Sequence, residues 1–510
     1  MNTTADNNKR IAKNTLLLYF RMLLTMTVSL YTSRVVLNAL GVEDYGIYNV
    51  VGGVVATFSV LSGSLSSAIS RFITFELGKN DINELKKIFS SALTIQIGLA
   101  LIIIILAETI GLWFLNNKLI IPLERIEAAN WVYQFSIITF TINLISIPYN
   151  ATIIAHERMS AFAYISLLEV MGKLIVAFYI AKTSMDKLII YGLMLTITAI
   201  VIRLIYSYYC KNHFKECYYH FTFNKPLLKK MFGFAGWNFI GSSSAILRDQ
   251  GGSIIINLFC GPIVNTSRGI ALQVSHAIEG FVSNFMTALK PQIIKSYATE
   301  NHDYMMTLII QGARLAFYML LILSLPILMN TEYVINLWLG VIPEHAVEFT
   351  QLTIIFVMSE SISHPLITAV QATGNISRYQ LIVGGLQMLN LPVSYYLLHK
   401  GCIPEIVFIV AIIISQCCLV SRLWILRYLI KLDINKYIRN VYLNICLVGI
   451  VSFILSFITI NREYDTLYYF IINSSITILL TFITIYFIGC TKQERLIIKY
   501  KLITLFHIKK

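Results

Sequence analysis

Apolar segments of about twenty residues recur along the chain from Ile11 almost to its end, and no other feature restricts the possible folds so strongly. Apolar residues make up 57% of the sequence and charged residues 13%, too little polar surface to keep 510 residues in water. Read with a window of about nineteen residues, the chain predicts about fourteen spans. They begin near Ala12, Gly46, Ile88, Ala128, Phe162, Leu188, Gly233, Asn265, Met306, Phe349, Tyr379, Ile403, Asn440 and Leu467. Hydrocarbon offers the backbone no hydrogen-bond partner, so such spans must satisfy themselves as helices. The expected fold class is an all-α polytopic membrane protein.

The formal charge of +14 would suit nucleic acid, but its distribution points elsewhere. Basic residues cluster on alternate connections: Lys86 and Lys87; Lys225, Lys229 and Lys230; Lys431, Lys436 and Arg439; then Lys492 and Arg495 in the tail. This is the positive-inside pattern, and it predicts contact with anionic lipid heads and no nucleic acid. An even span count puts both termini on one side, which this bias makes the cytoplasm, with a retained first helix and an inner-membrane location. Most of the eight cysteines fall in spans or on the cytoplasmic side, Cys402 being the main exception, so no disulfide framework is expected. Cys210, His213, Cys217 and His220 have loosely zinc-like spacing, but a single helical run does not readily wrap a tetrahedral ion. An amphipathic linker is expected there.

A weak internal repeat relates LNALGVEDYGIYNVVGG, from Leu37, to INLFCGPIVNTSRGIALQ, from Ile256, at an offset of roughly 220 residues. Each runs from a helix end through Asn and a Gly turn into the next helix. Six spans per repeat give two lobes of like orientation. The expected organisation is a six-helix lobe at 1–209, a cytoplasmic linker at 210–232, a second six-helix lobe at 233–432, two further spans at 433–489 and a basic tail at 490–510. No connection is long enough for a soluble domain.

A charge at mid-bilayer costs about 2.5–3.5 kcal/mol, so each one requires a reason. The first span carries Arg21, Thr25, Ser29, Thr32 and Arg34 as one polar stripe, which predicts a face turned to a cavity. The seventh span, its counterpart in the repeat, carries Arg248 and Asp249, with Asn238, Ser242, Ser253 and Asn257 on the Asp249 side. An Arg248–Asp249 clasp is the structural alternative. Arg268, in the eighth span, could extend a cationic lining. Glu169 and Lys173 are spaced to neutralise each other on one helix face. Glu360 and His364, with Asp249, are candidate ion-coupling groups. The sequence contains no HExxH, GxSxG or GxxxxGK[ST] motif. No enzyme activity and no cofactor are expected. Transport would draw on the membrane potential or on a coupling ion, H+ or Na+.

Three stretches resemble a known family: RVVLNALGVEDYGIYNVVGG from Arg34, NLWLGVIPEHAVEF from Asn336 and ATGNISRYQ from Ala372. They are similar to bacterial O-antigen and capsule repeat-unit flippases, in the superfamily that includes multidrug and toxin extrusion (MATE) proteins. The resemblance covers almost the whole chain. It implies two six-helix lobes in a V, here with two extra C-terminal helices, working by alternating access. It also implies a cargo, an oligosaccharide repeat unit on undecaprenyl pyrophosphate, carried to the outer leaflet. By helix position it points to Arg21, Arg34, Arg248 and Arg268 as cavity arginines. A polymerase and other polysaccharide-assembly proteins would be partners.

Guanidinium groups fork onto phosphate oxygens, which suits an anionic head. Asn, Ser, Thr and aromatic faces suit sugars. An ion-coupled MATE-type drug exporter is the first alternative, though cationic drugs favour an acidic lining. A membrane polymerase or acyltransferase is the second, though the outer loops are short and poor in Arg and His.

Overall fold

The computed structural model describes residues 4–56, 59–118, 121–220, 224–340, 342–459 and 466–496. Most of the predicted basic tail, from 497 onward, lies outside the described residues. Among the described residues all regular structure is helical. The helices are α1 (Thr4–Ala56), α2 (Ser59–Lys79), α3 (Ile82–Leu106), α4 (Leu112–Lys118), α5 (Ile126–Ala155), α6 (Met159–Lys182), α7 (Lys187–His213) and the 74-residue α8 (Lys225–Ala298). There follow α9 (His302–Met329), α10 (Thr331–Leu339), α11 (Ala346–Ser361), α12 (His364–Thr373), α13 (Ser377–Tyr379), α14 (Gly385–Met388), α15 (Asn390–His399) and α16 (Ile406–Ile430). The last are α17 (Ile434–Tyr437), α18 (Leu443–Thr459) and α19 (Leu467–Thr484).

Among the described residues, eleven helices are long and apolar enough to cross a membrane. The spans expected from Gly46, Gly233 and Asn265 are not among them, so the count of fourteen is not established. The stretch from Gly46 runs across residues 57 and 58, which lie outside the described residues; those from Gly233 and Asn265 lie in α8, where glycine, serine and charged residues dilute the apolar run. Large apolar side chains face outward along the bundles: Leu16, Ile105, Ile175, Leu204, Ile254 and Ile458 are each more than 60% exposed. Such a surface is stable against hydrocarbon and not against water. The chain is a multi-pass membrane protein.

Contacts divide the chain into two compact units. One comprises residues 1–243, 287–301 and 374–377; the other comprises 244–286, 302–373 and 378–510. In the first, α5 packs against α7, and Val132, Tyr133 and Ile137 join Ile47 and Leu188 in its core. In the second, Phe349, Phe408, Ile256 and Leu398 form a comparable core. Tyrosines reach into π-helical turns in both. Tyr133 donates to the Ala107 carbonyl at 2.9 Å, and Tyr318 donates to the Gly489 carbonyl at 3.2 Å. Gly111 and Gly489 leave room for those rings.

The repeat is visible in the backbone. Helix α1 bends at Gly41 (φ 81°, ψ 168°) and α8 bends at Gly261 (φ 82°, ψ 179°), separated by the roughly 220 residues read from the sequence. Residues with side chains scarcely occupy that region. At the same offset Asn80 and Glu300 take left-handed conformations and close the ends of α2 and α8. The amides following them bond back to Glu76 and Ser296, which is the same helix stop used twice. Ion pairs repeat too. Arg125, before α5, binds Asp186, the cap of α7, at 2.6 Å and Asp44 at 2.5 Å. His345, before α11, meets Glu405, at the start of α16, at 2.5 Å. Burial works to raise the Asp186 carboxyl, but Arg125 and the backbone N–H groups of Ile189 and Leu188 outweigh it and hold the group below the usual carboxylate range.

Gly41→Ala and Gly261→Ala are each expected to destabilise the protein by about 1–3 kcal/mol. The readout is the melting temperature in detergent. Gly233→Ala, where a Cβ meets open space on a regular helix, should not lower it. Equal behaviour of all three variants would remove the conformational argument.

Candidate functional site

The nine residues singled out in the sequence separate by unit. Arg21, Thr25, Arg34 and Asn238 lie in the first; Arg248, Asp249, Arg268, Glu360 and His364 lie in the second.

The second unit brings Arg248, Asp249 and Arg268 together. Arg248 donates to both carboxylate oxygens of Asp249, Nε to Oδ1 at 2.8 Å and Nη2 to Oδ2 at 3.2 Å. Its guanidinium stands 4.7 Å from the centre of the Phe356 ring. Arg268 reaches back from the next stretch of α8, donating to Ser253 Oγ at 3.1 Å and to the Asp249 carbonyl at 3.2 Å. It lies 5.0 Å from the centre of the Phe408 ring. Gly252 permits this approach, since a Cβ there would collide with the Arg268 guanidinium. The clasp named as the structural alternative therefore exists, and a second arginine joins it.

These groups line a cavity of about 40 Å³ with His276, Glu279, Thr353, Asn390 and Ser394. That volume holds a water or two and not a pyrophosphate. Two arginines face two carboxylates, Asp249 and Glu279, so the lining is charge-balanced. Asn390 Oδ1, Ser394 Oγ and Thr353 Oγ1 are buried there without protein partners. Burial of such groups is costly unless water or a ligand meets them. No sequence signal marks these three, because an isolated Asn, Ser or Thr is common in an apolar helix.

Glu360 is committed elsewhere. Ser415 Oγ donates to it at 2.7 Å, and Arg422 Nη1 lies 3.4 Å away. Arg422 also donates to Ser363 at 2.8 Å and to the Tyr379 hydroxyl at 3.3 Å, and it is 1% exposed. Sequence reasoning missed Arg422, although its position inside the strongly apolar α16 was a legible signal. His364 opens α12, and among the described residues no hydrogen bond joins its ring to Glu360.

In the first unit Arg21 donates to Ser166 Oγ at 3.2 Å and stands 4.8 Å from the centre of the Phe162 ring. Thr25 bonds to the Met22 carbonyl of its own helix. Arg34 is exposed and Asn238 is buried. Glu169 and Lys173 pair at 2.7 Å. A larger polar centre forms around Glu157, whose side chain is 2% exposed. Arg10 at 2.7 Å, Lys295 at 2.7 Å and Gln292 at 2.6 Å all reach its carboxylate, and Asn14 donates to its carbonyl. Lys290 donates to Ser67 at 3.4 Å. One turn further along α2, Arg71 lies among Phe72, Phe75 and Phe234. These residues sit at the ends of apolar runs, where sequence alone reads them as solvated loop charges.

Arg422→Met should strand Glu360 and destabilise by about 3–5 kcal/mol. Adding Glu360→Gln should recover most of that loss, as measured by thermal melting. A double variant no more stable than the single would show that the two residues act independently.

The comparisons with known proteins agree on the fold. One MATE crystal structure, in a bent conformation, matches with a TM-score of 0.74 at 14% identity, covering 84% of this chain and 96% of that one. An outward-facing multidrug resistance MATE family transporter of the MOP superfamily matches with a TM-score of 0.71 at 15% identity, covering 83% and 96%. A MOP superfamily transporter from Pyrococcus furiosus, described as having a binding pocket of reversed polarity, matches with a TM-score of 0.67 at 14% identity, covering 82% and 96%. At such identities the likeness establishes a MATE-like fold. No curated protein sequence matches the chain. The model of the family described as polysaccharide biosynthesis protein matches residues 11–297, more than half of the sequence, and the chain belongs to that family.

Proposed function

We propose that this protein is a flippase. It carries an oligosaccharide repeat unit on undecaprenyl pyrophosphate from the inner to the outer leaflet of the bacterial inner membrane, by alternating access, for O-antigen, capsule or exopolysaccharide assembly. The observation that carries the reading is the arginine pair Arg248–Arg268, held inside a member of the polysaccharide biosynthesis family. Arginine is the side chain best matched to a phosphate's paired oxygens.

The geometry suggests how an empty carrier keeps its arginines stable. Asp249 occupies the fork of Arg248 when no cargo is present. A pyrophosphate must displace that carboxylate, and Asp249 must re-engage after release. Exchange of one anion for another lets the same arginine be charged in both states without standing alone in a low dielectric. The cavity must widen to admit the head group. The polyprenyl tail stays in the bilayer.

An inside-negative potential favours outward movement of a dianionic head, by about 2.3 kcal/mol per charge per 100 mV. Any coupling cation, H+ or Na+, is best assigned to Asp249, the carboxylate that the cargo frees. Glu360 already has Arg422 and Ser415, and among the described residues no hydrogen bond joins His364 to it. Arg21, Thr25, Arg34 and Asn238 of the first unit are proposed as further substrate-binding residues. No enzymatic step is required, and a polymerase is the expected consumer of the product.

Fold likeness to multidrug transporters keeps one other reading open, a cation-coupled drug exporter. Two arginines that can each fork onto phosphate oxygens favour an anionic cargo over a cationic drug.

In a strain lacking the chromosomal copy, wild type should restore surface polysaccharide. Arg248→Ala should lower it at least tenfold with normal membrane abundance, and Arg248→Lys should rescue only in part because it lacks the planar fork. Full activity of the Ala variant, or drug resistance without polysaccharide, would overturn the assignment. Reporter fusions after Lys87 and Arg439 should both read as cytoplasmic, and an external signal at either would reverse the topology.

A further inference from the structure

Beside the foot of α18 and the segment that follows α19 lies a second polar cavity that the flipping mechanism does not use. It measures about 780 Å³ and lies in the second unit, between the start of α9, the α17 turn and the segment after α19. Arg314, Lys436, Arg439 and Lys492 line it, against Asp303 and Glu494, an excess of two positive charges. Arg314 and Glu494 form an ion pair. Lys436, Arg439 and Lys492 have no carboxylate within ion-pair distance among the described residues. Arg314 is 5% exposed, and its Nε has no hydrogen-bond partner although its other nitrogens reach Glu494 and the Gly489 carbonyl.

An apolar face adjoins this charge. Ile438, Leu443 and Leu447 are exposed on the helix that carries Arg439, and Leu315 is exposed beside Arg314. Cations at helix ends beside an exposed apolar face are what a phospholipid requires, with phosphate in the cavity and acyl chains along the helices. We propose that this cavity is a binding site for the phosphate of an anionic phospholipid, which ties α18 and α19 to α9. The volume accommodates the two phosphates of a cardiolipin head. The inference is independent of the flippase reading.

The test uses the full-length protein in nanodiscs of phosphatidylcholine doped with phosphatidylglycerol or cardiolipin, with retained lipid counted by native mass spectrometry. Wild type should retain cardiolipin in preference to phosphatidylcholine. The triple variant Lys436→Gln, Arg439→Gln, Lys492→Gln should bind it about tenfold or more weakly. Arg314 is left intact because it anchors the terminal helices. A charge-matched control, Lys225→Gln, Lys229→Gln, Lys230→Gln, should bind as wild type does. If the triple variant is not recovered, Arg439→Gln alone should show a loss of a few fold. No lipid preference in the wild type, or equal loss in the control, would overturn the site. Displacement of the lipid by inorganic phosphate at equal concentration would show that free phosphate is the ligand and overturn the lipid assignment.

Discussion

An ionised side chain inside a helical bundle surrounded by hydrocarbon is stable only where another group faces it. That requirement organises the interior of both units. Arg248 is answered by Asp249, Arg422 by Glu360, and Glu157 by Arg10 and Lys295. Even the modest Glu169–Lys173 pair follows the rule along a single helix. Aromatic rings supply the rest, with Phe356, Phe408 and Phe162 each lying against a guanidinium. Among the buried polar atoms that no protein group meets, those of Asn390, Ser394 and Thr353 gather beside the arginine clasp.

In the proposed flipping cycle the clasp would have a functional consequence. An arginine already paired to a carboxylate is a poor permanent phosphate receptor but a good exchangeable one. Its counter-ion can leave when a stronger anion arrives and return when that anion departs. Arg422 differs because three groups hold it at once. The contrast separates an arginine suited to exchange from one suited to bracing the bundle.

Backbone conformation repeats where side chains do not. The two bends at Gly41 and Gly261 demand glycine, and the helix stops at Asn80 and Glu300 demand left-handed residues. The residues at the matching bundle corners changed from Arg125 and Asp186 to His345 and Glu405, yet a basic group still meets an acidic cap. Geometry at these corners accommodates two different basic–acidic pairs. At the bends it tolerates one residue type.

Much of this was legible without coordinates. Apolar run length determined the class, because only helices satisfy their backbone in hydrocarbon. The repeat at roughly 220 residues located the two bends, since glycine turns leave a mark in sequence. The intrahelical pairs Glu169–Lys173 and Arg248–Asp249 were also readable, being set by helical spacing or adjacency alone. Tertiary structure decided the remainder. That Arg268 folds back onto Asp249, that Arg422 claims Glu360, and that Glu157 gathers Arg10, Lys295 and Gln292 all depend on which helix faces sit opposite one another. Periodicity within one helix fixes the direction of a side chain along that helix. It carries no information about the group, more than a hundred residues away in the case of Glu157 and Lys295, that comes to face it.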